Sequence, residues 1–111
     1  MRTVYATPGG KIYAGRQGEN NATEVCFDVF PFYDVFGNTG SFSIKVLRYG
    51  ETDAYTVPAA NVTVSNGYVH WTVSSADTSI AGDNECQVIY TIGTNIMKSV
   101  RYKYVVGNSI E

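Results

Sequence analysis

Histidine and tryptophan each occur once in 111 residues, cysteine and methionine twice, and proline three times. Each shortage excludes something. With one histidine, any histidine-based triad must use His70, and no serine has the Gly-x-Ser-x-Gly setting of a nucleophile elbow. A tetrahedral zinc module wants about four Cys or His ligands. Cys26, His70 and Cys86 are all there are, and they lack close-spaced pairs, so no metal or cofactor is expected. Ten Asp and Glu are present, but no pattern marks a pair of them as acid and base. The chain reads as non-enzymatic.

Charge is sparse as well, at 16% of residues with a formal net of -2. The eight Lys and Arg are scattered, so nothing draws the chain toward nucleic acid or anionic lipid. No stretch approaches the ~20 apolar residues of a membrane span. The start, MRTVYATPGG, carries one basic residue and no signal-peptide apolar core. A soluble protein made in the cytoplasm is expected, with neither membrane nor nucleic acid as partner.

What the sequence does have is alternation. In residues 68–73 Val69, Trp71 and Val73 fall on one face, with Tyr68, His70 and Thr72 on the other. In 85–92, Cys86, Val88, Tyr90 and Ile92 share a face. Segment 23–30 places Val25, Phe27 and Val29 inward with Glu24, Cys26 and Asp28 outward, and 41–49 places Phe42, Ile44 and Val46 inward. In 96–106, Val100, Tyr102, Tyr104 and Val106 share a face. Period two over short segments is the mark of strands with one buried face. Shorter strand candidates lie at 54–57 and 62–65, with Pro58 marking an edge between them.

Turn signals separate these segments. Asn66-Gly67 is the strongest, because both residues tolerate positive φ in a two-residue hairpin. Gly93-Thr94-Asn95 is another. Pro31 cannot donate to a ladder, so it is read as ending its strand. Residues 74–84 are polar, opening with Ser-Ser-Ala-Asp and reaching Gly82. That composition suits one short helical turn between the strands of Trp71 and Val88, with Asp77 read as a carboxylate capping it. Residues 1–21 read as an N-terminal arm with a first short strand, and 22–111 as the body of a single domain. The glycines at 9, 10, 15 and 18 do not form a phosphate cradle, because a strand follows them rather than a helix. Seven to eight short strands with no other helical period indicate an antiparallel β-sandwich.

Two cysteines with a tryptophan between them resemble the inter-sheet bridge of antibody domains. Their phases oppose it. Cys26 falls outward and Cys86 inward, and side chains on opposite pleat faces do not bring their Cβ atoms within ~4.5 Å. Both are expected to be free thiols.

Several motifs occur together: GRQGEN (15–20), CFDV (26–29), WTVSSADTSIAG (71–82), CQVIY (86–90) and MKS (97–99). In order and spacing the chain resembles the immunoglobulin-like N-terminal domain of phage baseplate upper proteins and of prophage tail-fibre proteins, over about residues 15–109. The resemblance implies an immunoglobulin-like sandwich and a structural role in a virion. Such a domain attaches to other tail or baseplate proteins, and its parent chain trimerises. From the residues themselves, the candidate contacts are the aromatics Phe30, Phe32, Tyr33 and Phe36, although Phe32 and Phe36 are better read as closing one end of the core. An exposed edge strand near Tyr55 is a further candidate. The competing function is a carbohydrate-binding module of the bacterial surface, starting from Tyr68 and His70 on an outward strand face.

Overall fold

The alternating segments all pair in the structure, a computed structural model that describes residues 1–110. Among the described residues ten strands form: β1 (Arg2–Tyr5), β2 (Lys11–Arg16), β3 (Thr23–Asp28), β4 (Ser41–Leu47), β5 (Tyr55–Thr56), β6 (Val62–Ser65), β7 (Tyr68–Thr72), β8 (Gly82–Ile92), β9 (Asn95–Lys98) and β10 (Tyr102–Gly107). One sheet has the order β1-β3-β7-β6. The other runs β2-β10-β8-β4-β5, with β9 pairing the far half of β8. With β1, β3, β6 and β7 as A, B, D and E, facing β4, β8 and β10 as C, F and G, the order is that of an immunoglobulin sandwich. Among the described residues no helix is long and apolar enough to cross a membrane.

The core lies where the inward phases meet. Trp71, Val69 and Val25 of one sheet face Ile44, Val88, Tyr90 and Tyr104 of the other, all fully buried. Trp71 and Tyr104 meet edge to face across the layers, with ring centroids 5.4 Å apart. The Asn66-Gly67 hairpin forms as read, with φ of 52° and 82°, and joins β6 to β7 in the register Ser65 opposite Tyr68.

Four details depart from the sequence reading. The sheets are mixed rather than antiparallel, because β1 runs parallel to β3 and β2 parallel to β10. The cause is the N-terminal segment, expected as an arm with one short strand, which forms two. It crosses between layers at the 7–10 turn and lays an edge strand on each sheet, covering backbone groups that would otherwise stand unpaired.

The second departure is a helix, α1 (Phe30–Phe36), where a connection was expected. Pro31 starts it instead of merely ending a strand, since the first turn of a helix does not use that N–H. Asp28 accepts the Phe30 N–H through its carboxylate at 2.8 Å. Gly37, at φ 80°, closes the other end by donating to the Tyr33 carbonyl. Seven residues are too few for a 3.6-residue period to stand out from a run of aromatics.

Third, the connection after Trp71 makes overlapping hydrogen-bonded turns over 74–79, in which the Asp77 and Thr78 amides both donate to the Ser74 carbonyl and the Ser79 amide to that of Ala76. It stops short of a helix. A 3-10 turn instead occupies Ala59–Asn61, just after Pro58. Last, the strand expected over 96–106 is broken at 99–101. There Ser99 fills the gap: its N–H donates to the Val88 carbonyl, and its Oγ accepts the Val88 N–H. Val100 leaves the shared face and stands 56% exposed.

Candidate functional site

The aromatic run ending β3 is brought against β4 and β8 by α1, and its residues part company there. Phe32 is 4% exposed, packed edge to face on Phe42 at 5.3 Å and near Tyr90 at 5.8 Å. It closes the core, so its reading as an exposed partner contact is corrected, and what it offers outward is a small part of a groove wall. Tyr33 is half-buried on the same two rings. Phe30 points the other way and is 63% exposed, and Val35 and Phe36 also face solvent. A helix lets one short run serve both inside and outside, because successive residues turn about 100° rather than alternating.

Beside α1 the two sheets part into a groove of about 570 Å³, with Pro8, Phe27, Pro31, Phe32, Met97 and Val100 in its walls. The walls come from the 7–10 turn, β3, α1, β8, β9, β10 and the break between the last two. Only the break turns Val100 to this side, so the groove could not be read from strand patterning.

Tyr55 does lie on an edge strand, since β5 pairs only with β4 at the sheet margin. Its side chain is committed inward, however. The hydroxyl donates to Asp77 Oδ1 at 2.5 Å, and the Arg48 guanidinium stacks over the ring at 5.1 Å. Burial, followed by the Asp77 hydrogen bond, pushes the Tyr55 hydroxyl pKa up. Asp77 is far more than a turn cap. At 1% exposure its other oxygen takes the Trp71 indole N–H at 3.2 Å and the Ser74 N–H at 2.9 Å. Its backbone carbonyl accepts the Tyr104 hydroxyl at 2.9 Å. One carboxylate thus ties the core aromatics of both sheets to the crossing turn.

On the outer face of the four-stranded sheet, Cys26 pairs laterally with Tyr5 on one side and His70 on the other. His70, read as an outward sheet residue, is only one-fifth exposed at its side chain. Its Nδ1 lies 3.1 Å from Glu24 Oε1 and 3.4 Å from Cys26 Sγ. Its Nε2 lies 3.1 Å from both the carbonyl and the Oγ of Ser65. The Glu24 hydrogen bond holds the His70 pKa above its ordinary value, and His70 in turn holds the Glu24 carboxyl below its own. Burial, then Glu24, pushes the Cys26 thiol up to about 11. The two cysteines are free, as their phases required. Glu24 was missed as a member of this group. The signal for it was the spacing of two to Cys26, which only a paired register connects to His70.

Tyr5 and Tyr68 also lie on this face and meet edge to face, 5.2 Å apart at 69°. Two rings so tilted do not make the flat platform on which a sugar ring stacks. No protein-family model matches the chain, and a search of curated proteins finds no significant match.

Proposed function

We propose that this chain is a non-enzymatic assembly domain of a phage tail or baseplate protein, and that it attaches to its neighbours in the virion through the α1 end of the sandwich. The observation that supports this reading is the apolar groove beside α1, with the exposed Val100 in its wall, and the exposed Phe30 carried by α1 itself. Scattered exposed apolar side chains are ordinary. A concave groove lined largely by apolar side chains is less so, and such surfaces mark sites of association. The motif resemblance supplies the context in which the partner is another tail or baseplate protein. A trimeric parent chain belongs to the same proposal.

The test mixes the purified chain with the products of the flanking tail genes and separates complexes by size exclusion with light scattering. Binding to one of them, lost in Phe30→Asp and Val100→Asp, supports the reading. Both positions are exposed, so these variants keep the fold. Failure of every neighbouring protein to bind, together with hits on a glycan array, would favour the carbohydrate-binding alternative instead. The tilted Tyr5 and Tyr68 rings argue against that outcome.

A further inference from the structure

Glu24, Cys26 and His70 have the composition and the spacing of a metal site, independently of the attachment surface. Glu24 and Cys26 are two apart on β3 and therefore share a face. His70 on β7 is the direct cross-strand partner of Cys26. The three donor atoms form a triangle with edges of 3.1 Å from Nδ1 to Oε1, 3.4 Å from Sγ to Nδ1 and 3.4 Å from Sγ to Oε1. In a tetrahedral zinc site, bonds of ~2.3 Å to sulfur and ~2.0–2.2 Å to nitrogen and oxygen put neighbouring donors about 3.3–3.6 Å apart. The observed triangle is within a few tenths of an ångström of one face of that tetrahedron.

The remaining ring nitrogen makes a second, separate point. Nε2 faces the Ser65 carbonyl at 3.1 Å. This is the outer partner that metal-bound histidines use, since it holds the N–H on Nε2 and leaves the Nδ1 lone pair for the ion. The same arrangement argues against a nucleophilic triad. A triad places its nucleophile and its orienting carboxylate on opposite ring nitrogens, whereas here thiol and carboxylate share Nδ1.

We propose that Glu24, Cys26 and His70 together bind one divalent transition-metal ion of the zinc class on the outer face of the four-stranded sheet. A sulfur, nitrogen and oxygen donor set selects such an ion over magnesium or calcium, which take oxygen ligands. The chain supplies three ligands, and a water completes the fourth position. Binding converts the Cys26 thiol to thiolate and releases its proton to solvent. The ion then bridges β3 and β7 through side chains, in addition to their backbone ladder.

The test titrates the reduced, metal-free protein with Co²⁺ and then with Zn²⁺. A thiolate-to-cobalt charge-transfer band in the near ultraviolet, saturating at one equivalent and bleached by Zn²⁺, is expected. Cys26→Ser removes the band, while Cys86→Ala keeps it. Glu24→Gln and His70→Gln each weaken binding by more than about 100-fold, because even losing an outer partner typically costs roughly 10–100-fold. Both replaced side chains are partly exposed, so circular dichroism of these two variants should match the parent even if Cys26→Ser folds poorly. No band at millimolar Co²⁺, or a band that survives Cys26→Ser, overturns the proposal. So does unchanged affinity in both Glu24→Gln and His70→Gln.

Discussion

Replacing Asp77 with alanine removes every acceptor that its carboxylate offers to the core. The Trp71 indole N–H has no other route to satisfaction, because Trp71 is fully buried. The Tyr55 hydroxyl lies in a half-buried position and loses its acceptor too. The Ser74 amide and hydroxyl sit on a half-exposed residue and can turn to water. Two orphaned donors at about 1–3 kcal/mol each, with a smaller loss at Ser74, put the cost of Asp77→Ala near 3–4 kcal/mol. Domains of this size have about 5–15 kcal/mol in all. Urea unfolding, followed by the fluorescence of the single tryptophan, measures it directly. The midpoint temperature should fall by roughly 12–32 °C, at about 4–8 °C per kcal/mol. Asp77→Asn keeps one oxygen for Trp71 and Ser74, and its amide can donate to the Tyr55 oxygen, so about 1–2 kcal/mol is expected. A double-mutant cycle of Asp77→Ala with Tyr55→Phe should show coupling of about 1 kcal/mol or more. If Asp77→Ala lies within 1 kcal/mol of the parent, the carboxylate is not what joins the two sheets, and the reasoning fails.

Gly40→Ala should destabilise by about 2 kcal/mol in thermal unfolding, because an added Cβ would lie 2.6 Å from the Thr91 carbonyl and 2.7 Å from the Tyr90 ring. In the metal-free protein the His70 ring protons should titrate with a midpoint above 6.5, and Glu24→Gln should bring the midpoint back down. The raised His70 contributes below about pH 6.5 and is lost as pH rises through its folded value, whereas the lowered Glu24 contributes above about pH 4.5 and is lost below it. The pair is therefore fully made between those limits, and a pH series of unfolding midpoints in parent and Glu24→Gln should differ most there. A thiol reagent at pH 8 should label neither cysteine in the metal-free native protein and both after denaturation, since both are buried and burial raises both pKa values. Rapid native labelling of Cys26 would contradict its place under His70 and Glu24.

The pleat of this protein was determined by its sequence alone. Val25, Phe27, Ile44, Val69, Trp71, Val88 and Tyr104 all went where period two puts them, and Asn66-Gly67 made the turn its backbone freedom allows. Alternation is a local property, carried by each segment whether or not its partner is known. The same phase argument kept Cys26 and Cys86 apart. The tertiary structure decided everything that depends on which segment lies beside which. Strand direction at the sheet edges depended on where the N-terminal segment crossed between layers, and no residue pattern encodes that choice. The helix at Phe30–Phe36 is too short to carry a period, so Phe32 and Phe30 were separated only when the core end needed a plug. Asp77 became the centre of a hydrogen-bond network because Trp71, Tyr55 and Tyr104 arrive from three different strands. Glu24, Cys26 and His70 likewise are 44 residues apart at the nearest strand-to-strand separation, and only the β3–β7 register puts their donor atoms on one triangle.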